Sequence, residues 1–312
     1  MQPSVDVVIV NWNTGPQLRA CLRSIVAAGQ DRLALRRVVV VDNASSDGSA
    51  SSLGCEGLPL QVLHNDENRG FAAACNQGAR GSSSDYLLFL NPDTELFADS
   101  LAVPLAYMER PESRDVGICG IRLVEADGTA GVACARFPTP AVVLYQALGL
   151  SRVWPSVFRP HLLPSAECRV TRDVDQVIGA YFLVRRRLFE ELDGFDERFF
   201  VYFEEVDFSL RARQRGFRST YLAGATALHH GGLSSGQVRA RRLFYSLRSR
   251  LLYAFKHFTG PGAALVVIVT VCVEPVARLG AALLRGSGRE IGETLRAYGM
   301  LGTYWWRRLV RW

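Results

Sequence analysis

Residues Tyr86–Leu90 read YLLFL and stop at Asn91-Pro92-Asp93. Five apolar residues with no turn former among them describe a strand buried on both faces, as in a parallel sheet. Proline cannot serve a central ladder, so the chain leaves the sheet there. It then presents Asp93 at the strand's carboxyl end, where open α/β sheets bind ligands. A plain Asn-Pro turn with a solvated aspartate fits the same letters.

The surroundings separate the two readings. Val5–Trp12 (VDVVIVNW) is a second buried-strand run, followed by Gly15-Pro16 and an amphipathic stretch with Leu18, Cys21, Leu22, Ile25 and Val26 at helical spacing. Val38–Val41 is a third, ending in Asp42-Asn43-Ala44-Ser45-Ser46-Asp47-Gly48. Leu60–Leu63 is a fourth, followed by Asn65–Gly70 and a small-residue helix over Phe71–Ala79. Strands alternating with helices at this spacing predict an α/β fold with a doubly wound, mostly parallel sheet and its ligand site along one edge. At 312 residues, 48% of them hydrophobic, the chain can bury a full core in one large domain or two.

Charge and cysteine content narrow the function classes. From Arg239 onward thirteen Lys/Arg face three Glu, a net +10 that leaves residues 1–238 at −4. A nucleic-acid-binding domain would carry its positive charge on the folded body, so none is expected as a partner. The seven cysteines are odd in number and never form C-x-x-C, which argues for a reducing, cytoplasmic location. The apolar run within residues 1–13 is too short for a signal peptide and has no basic residue before it. Gly232-Leu233-Ser234-Ser235-Gly236 spells the hydrolase elbow G-x-S-x-G. Beyond Ser234, however, there is no aspartate, and His257 is the only histidine, with no acid before it. No G-x-G-x-x-G or Walker lysine motif is present, so dehydrogenase and P-loop readings lack their carriers.

The ordered set VVIVNWN, VVVVDNASSDGS, ENRGFAAACNQGAR and LLFLNPDT resembles the nucleotide-sugar half of glycosyltransferase family 2, most of all its bacterial rhamnosyltransferase-like members. VIGAYFLVRRRLFEELDGFDERFFVYFEEVDFSLRARQRG and ALHHGGLSS resemble its acceptor and catalytic region, so the likeness spans about residues 5–236. The resemblance implies a GT-A-like, mixed and mostly parallel sheet with a C-terminal helical extension. It implies inverting transfer of a sugar from a nucleotide diphospho-sugar to a glycan hydroxyl, the acceptor lipid-linked, in cell-envelope polysaccharide synthesis. The subgroup suggests dTDP-rhamnose as donor, with a UDP-hexose as the alternative. A non-catalytic carbohydrate-binding module at the membrane is the rival from another class.

The same resemblance distributes roles. Asp93 matches the last aspartate of a D-x-D metal motif whose first position is here Asn91. His229, through H-x-x-G-x-S with Gly232 and Ser234, becomes its partner on the metal or diphosphate. A divalent Mg or Mn, held by few protein groups and by phosphate and water, would neutralise the leaving diphosphate. Asp42 and Asn43 resemble the pair that reads a uracil or thymine base, although Asp42 also suits a helix N-cap with Ser45 and Asp47. Asn11 and Asn13 resemble residues lining base and ribose, and Arg69 would lie near the diphosphate or the base. Gly70 is required for a positive φ or a close backbone approach. Asn91, Glu204 and Asp207 complete the expected nucleotide-sugar contacts.

Glu205 is the expected base for the acceptor hydroxyl. Glu204-Glu205-x-Asp207 opens a helix behind the apolar stretch Phe199–Phe203, which predicts a partly desolvated carboxylate with a raised pKa. First-turn acids and an Asp207–Arg211 i,i+4 pair also describe an ordinary well-capped helix.

The expected domains are 1–236, divided into a donor half (1–110) and an acceptor half (111–236), and an extension over 237–312. In the extension, Leu243, Leu247, Leu251, Phe255 and Phe258 recur at helical spacing among arginines. Ala263–Val273 is an eleven-residue run without charge, cut off by Glu274-Pro275 and short of the ~20 residues of a span. A helical hairpin on the inner face of the membrane, anchored by Tyr304, Trp305, Trp306, Arg307, Arg308 and Trp312, is the expectation. A helical cap on the globular domain is the alternative.

Overall fold

A computed structural model describes residues 2–28, 33–51, 53–54, 57–231 and 239–310. The described chain divides into two compact units. The first comprises Met1–Phe137, Leu162–Phe200 and Glu204–Ser234, and the second Pro138–His161, Val201–Phe203 and Ser235–Trp312.

The first unit is built on a nine-stranded mixed sheet. Its strands are β1 (Ser4–Asn11), β2 (Ala34–Asp42), β3 (Leu60–His64), β4 (Tyr86–Leu90), β5 (Thr94–Leu96), β6 (Val116–Val124), β8 (Arg172–Val174), β10 (Tyr181–Arg185) and β11 (Arg218–His229). A separate ribbon joins β7 (Cys134–Ala135) to β9 (Gln176–Val177). The order is β3-β2-β1-β4-β10-β6-β11-β5, with β8 also on β11. β1 to β4 run parallel, β10 is antiparallel between β4 and β6, and β11 returns parallel to β6.

The valine runs become strands because their alternate side chains fill two separate cores. Val5, Val7, Ile9, Val38 and Val40 face one layer, with Leu18, Leu22 and Ile25 of helix α1 (Gln17–Ala27). Val8, Val10, Val39 and Val41 face the other, with Ala72, Ala74 and Ala79 of helix α2 (Phe71–Ala79) and with Phe208. In that second layer Phe89, Phe182, Phe189, Phe195 and Phe208 stack at ring separations of 4.9–6.5 Å. Tilted and edge contacts of this kind add about 0.5–1.5 kcal/mol each beyond burial. They seat helix Glu204–Gln214, which carries Phe208, on the sheet.

Five of the cysteines, 21, 75, 119, 134 and 168, are buried free thiols, and Cys272 is exposed. The Cys134 and Cys168 sulfurs lie 3.0 Å apart.

The second unit is helical, with Val143, Leu247, Leu251, Ala254, Val266, Val269 and Leu301 at its core. The basic amphipathic stretch forms helix Arg239–His257. The expected break at Glu274-Pro275 does not occur. Helix continues over Gly260–Leu284, 25 residues, with one π-helical turn at Val269–Val273 and with Pro275 in the first turn of the α-helical segment Glu274–Leu284. Glu274 is tolerated because its buried carboxylate meets Arg250 and, at 2.7 Å, Arg278. By length and composition alone this helix is long and apolar enough to cross a membrane. The hairpin partner is the 22-residue helix Gly288–Leu309.

Candidate active site

The carboxyl ends of β1, β2 and β4 lie side by side, with Asn11 opposite Asp42 and Ile9 opposite Leu90. Asp42 and the Asn91–Asp93 turn are therefore about two strand spacings apart, roughly 10 Å.

Asn11 is fully buried, and its amide nitrogen donates to Asp42 Oδ1 at 2.8 Å and lies within reach of the Ser45 and Ser49 hydroxyls at 3.0 and 2.8 Å. Its carbonyl accepts from Thr14 Oγ1. Asn11 thus sits beneath Asp42 and orients its carboxylate. Asn13, at φ +52°, accepts from Ser46 N at 2.7 Å and so braces the same loop. No helix begins at Asp42, so the capping alternative falls: Asp47 accepts instead from the Gly15 and Ser49 backbones. The second Asp42 oxygen faces Nδ1 of His64 at 3.5 Å. β2–β3 register sets Asp42 opposite His64, a neighbour that no motif indicated.

Asn43 is 2% exposed and uses its whole hydrogen-bonding capacity inside the protein. Its nitrogen donates to Asn68 Oδ1 (2.9 Å) and Gly70 O (3.2 Å); its oxygen accepts from Asn65 Nδ2 (3.1 Å) and Arg69 N (3.0 Å). Asn65 is held in turn by a reciprocal amide pair with Gln77 at 3.0 Å. Sequence reading missed Asn65 and Gln77 because the pairing appears only once α2 packs on β1 and β2. The amide network fixes residues 65–70, while the Arg69 side chain stays exposed. Gly70 has φ +87°, and a Cβ there would stand 2.5 Å from Phe200 O. The Phe71 amide donates to that same oxygen at 2.6 Å. This tie fixes the segment four residues ahead of Glu204.

Asp93 and His229 come together although 136 positions separate their numbers, with Oδ1 and Nε2 3.4 Å apart. β5 pairs antiparallel with β11, Thr94 opposite His229, and the side chains are 13% and 21% exposed. The Asn91 backbone is anchored to Ala180 O at 3.1 Å and to Thr94 N at 3.1 Å. Gly232 and Ser234, the rest of the histidine motif, lie outside the described residues.

Glu204 and Glu205 open their helix as expected. Burial, reinforced by the charge of Glu205, pushes the Glu204 carboxyl well above its ordinary value. Glu204 is 4% exposed and its Oε2 has no hydrogen-bond partner, whereas Glu205 is half-buried. Asp207 is fully buried and paired at 2.8 Å with Arg211, which also donates to Leu192 O and Gly194 O. Its carboxylate therefore braces the helix against the loop before it.

Among the described residues no three His, Cys, Asp or Glu side chains gather as a metal cage. The Asp93–His229 separation nevertheless suits two cis ligands of one octahedral cation, whose donor atoms stand about 3 Å apart. Diphosphate oxygens and water would complete such a shell.

The chain is 27% identical over 277 residues, 83% of its length and 87% of the relative's, to N-acetylglucosaminyl-diphospho-decaprenol L-rhamnosyltransferase of Mycobacterium tuberculosis. It is 26% identical over 175 residues, 56% of its length and 63% of the relative's, to rhamnosyltransferase WbbL of Escherichia coli. Among solved structures, a mannosyltransferase from Pyrobaculum calidifontis, in complex with GDP-Man and Mn2+, shares the GT-A fold at TM-score 0.56 and 20% identity, covering 99% of this chain and 81% of that one. The profile of Glycosyl transferase family 2 matches residues 6–193, more than half of the chain, and stops short of Glu205 and His229. The chain is a glycosyltransferase and belongs to glycosyl transferase family 2.

Proposed function

We propose that this enzyme transfers rhamnose from dTDP-rhamnose to a hydroxyl of a lipid-linked saccharide, with inversion, in cell-envelope polysaccharide synthesis. The observation that carries the reading is the Asp93–His229 pair, set at the strand ends two spacings from the Asn11-oriented Asp42. The rhamnosyltransferase relatives support the sugar, and the name of the mycobacterial one supports a polyprenyl-diphosphate-linked acceptor.

Asp42, through the oxygen not used by Asn11, accepts from the pyrimidine N3–H. Arg69, exposed at the rim, meets the diphosphate. Asp93 and His229 would hold a Mg or Mn ion, which supplies positive charge to the departing diphosphate. Glu205 takes the acceptor hydroxyl proton as that oxygen bonds to the anomeric carbon and the carbon–phosphate-oxygen bond breaks on the opposite face. The basic helix Arg239–His257 and the apolar helix Gly260–Leu284 support a membrane-proximal location facing a lipid-linked acceptor.

The test is release of nucleoside diphosphate from a panel of dTDP-, UDP- and GDP-sugars, with Mn or Mg and with chelator, for wild type, Asp93→Ala and Glu205→Gln. Metal-dependent release from dTDP-rhamnose, abolished by Asp93→Ala and lowered at least a hundredfold by Glu205→Gln, is expected. Turnover of a UDP-hexose instead would reassign the donor. Binding without turnover in the presence of lipid-linked acceptors would overturn the catalytic reading.

A further inference from the structure

The neighbouring residues on the same two strands form a second histidine–carboxylate pair. His230 Nε2 and Glu95 Oε1 are 2.8 Å apart, with side chains 29% and 34% exposed. The His230 backbone amide donates to Asp93 O at 3.0 Å. His230 is therefore bound on both sides of Thr94: to residue 93 through its backbone and to residue 95 through its ring. Backbone register places His229 opposite Thr94 and Leu228 opposite Glu95. His230 thus stands opposite Asp93 and reaches Glu95 along the same-face diagonal, a span long side chains can bridge.

This tie adds a side-chain link to the backbone bonds that already anchor the Asn91–Thr94 turn, Asn91 N to Ala180 O and Thr94 N to Asn91 O. β5 is three residues long, lies at the end of the sheet order and forms its ladder with β11. Beyond that ladder, Leu96 N reaches Ser24 Oγ at 2.9 Å and Thr94 Oγ1 reaches Ala180 O at 3.4 Å. Neither contact fixes the position of Asp93 relative to His229. The His230–Glu95 tie does, because it closes the β5 and β11 ends against each other at the residues flanking the Asp93–His229 pair. The hydrogen bond needs a proton on Nε2, which the Nε2–H tautomer of the neutral imidazole and the charged imidazole both carry.

We propose that Glu95 and His230 are positioning residues that set the Asp93–His229 separation and hence the affinity for the divalent cation. This rests on the metal role proposed for Asp93 and His229. Groups that support metal ligands from behind typically alter metal affinity 10–100-fold when removed.

The experiment is a Mn2+ titration followed by electron paramagnetic resonance, on the full chain with saturating dTDP, well below the melting temperature. Glu95→Ala and His230→Ala are each expected to weaken Mn2+ about tenfold or more, with dTDP binding in the absence of metal unchanged. The double substitution is expected to be no worse than either single one, since both remove the same tie. Glu95→Gln and His230→Gln keep an acceptor and a donor at the same reach and are expected to stay near wild type. They also serve as folded references should an alanine variant fail to fold. Wild-type Mn2+ affinity in the alanine variants, or equal losses in the glutamine variants, would overturn the proposal while leaving the metal site intact. Absence of Mn2+ binding in the wild type would overturn the metal reading, and this inference with it.

Discussion

Replacing Gly70 by alanine tests whether the Asn65–Gly70 loop and the Glu204 helix are joined as described. The backbone there has φ +87° and ψ 165°, a region essentially reserved for glycine, and an L-residue in such regions costs about 1–3 kcal/mol. The added Cβ would meet Phe200 O at 2.5 Å and Phe200 Cδ2 at 2.8 Å, so Phe200 has to retreat by about 1 Å. Overpacking of this kind costs about 1–3 kcal/mol. The same movement pulls apart the 2.6 Å Phe71 N–Phe200 O bond, adding about 1 kcal/mol. The total of about 3–7 kcal/mol corresponds to a fall in melting temperature of roughly 6 °C or more. Gly81 supplies the control, because it has φ +68° with nothing within 4 Å of a Cβ. Gly81→Ala carries a positive-φ strain without the clash. Thermal unfolding of the two variants, with turnover measured on the folded protein at low temperature, separates the contributions. Gly70→Ala is expected to melt well below Gly81→Ala and to lose turnover, since Phe200 leads into the Glu204 helix. Equal melting temperatures for the two variants would refute the tie.

Asn43→Asp keeps the oxygen that accepts from Asn65 and Arg69 but turns an oxygen toward Asn68 Oδ1 and Gly70 O. Facing two acceptors in a buried site costs about 2–4 kcal/mol, so the denaturant midpoint should drop and the donor KM should rise; an unchanged midpoint would refute the saturated-amide account. Glu204 makes a pH prediction. Its folded-state value is raised, first by burial and then by Glu205, above the ordinary 4.5. Its neutral form therefore contributes stability that is fully present below about pH 4.5 and is lost as pH rises toward the folded-state value. Glu204→Gln cannot ionise, so the melting-temperature difference between variant and wild type should shift in the variant's favour from pH 4.5 to pH 8. Parallel profiles across that range would show that Glu204 is not the buried acid described.

The parallel half of the sheet was legible because its strands are apolar runs bounded by abrupt polar or proline stops; Phe71–Ala79 was likewise bracketed by Gly70 and the turn after Arg80. β10 was not legible as an antiparallel insertion, because YFLVR carries no mark of direction and its neighbours, β4 and β6, are set by tertiary pairing. Glu274-Pro275 looked like a break because the arginine that neutralises Glu274 from another helix, Arg250, lies 24 residues away. The site shows the same division. Motif spacing brought Asp42, Asp93 and His229 to the strand ends but did not reveal His64, Asn65, Gln77 or Glu95. Those residues act through partners 12 to 135 positions distant.

Hydrogen-bond capacity sorts the motif residues into two kinds. Asn11 and Asn43 meet partners with both ends of their amides, and Asp207 is buried against Arg211. A ligand could reach the two amides only by displacing a bond already made, at a cost near that of the bond gained. The outer oxygen of Asp42, the Arg69 side chain, Asp93 and His229 keep room for new partners. The two kinds should respond differently to substitution. Loss of an outward-facing group removes one contact and leaves the rest of the site in place. Loss of a holding amide moves every group it supports, so base, diphosphate and catalytic effects should appear together. Asn43 of the DN motif is a holding residue, whereas Asp42 beside it and Arg69 of ENRG face outward, so a single motif mixes groups that shape the site with groups open to a ligand.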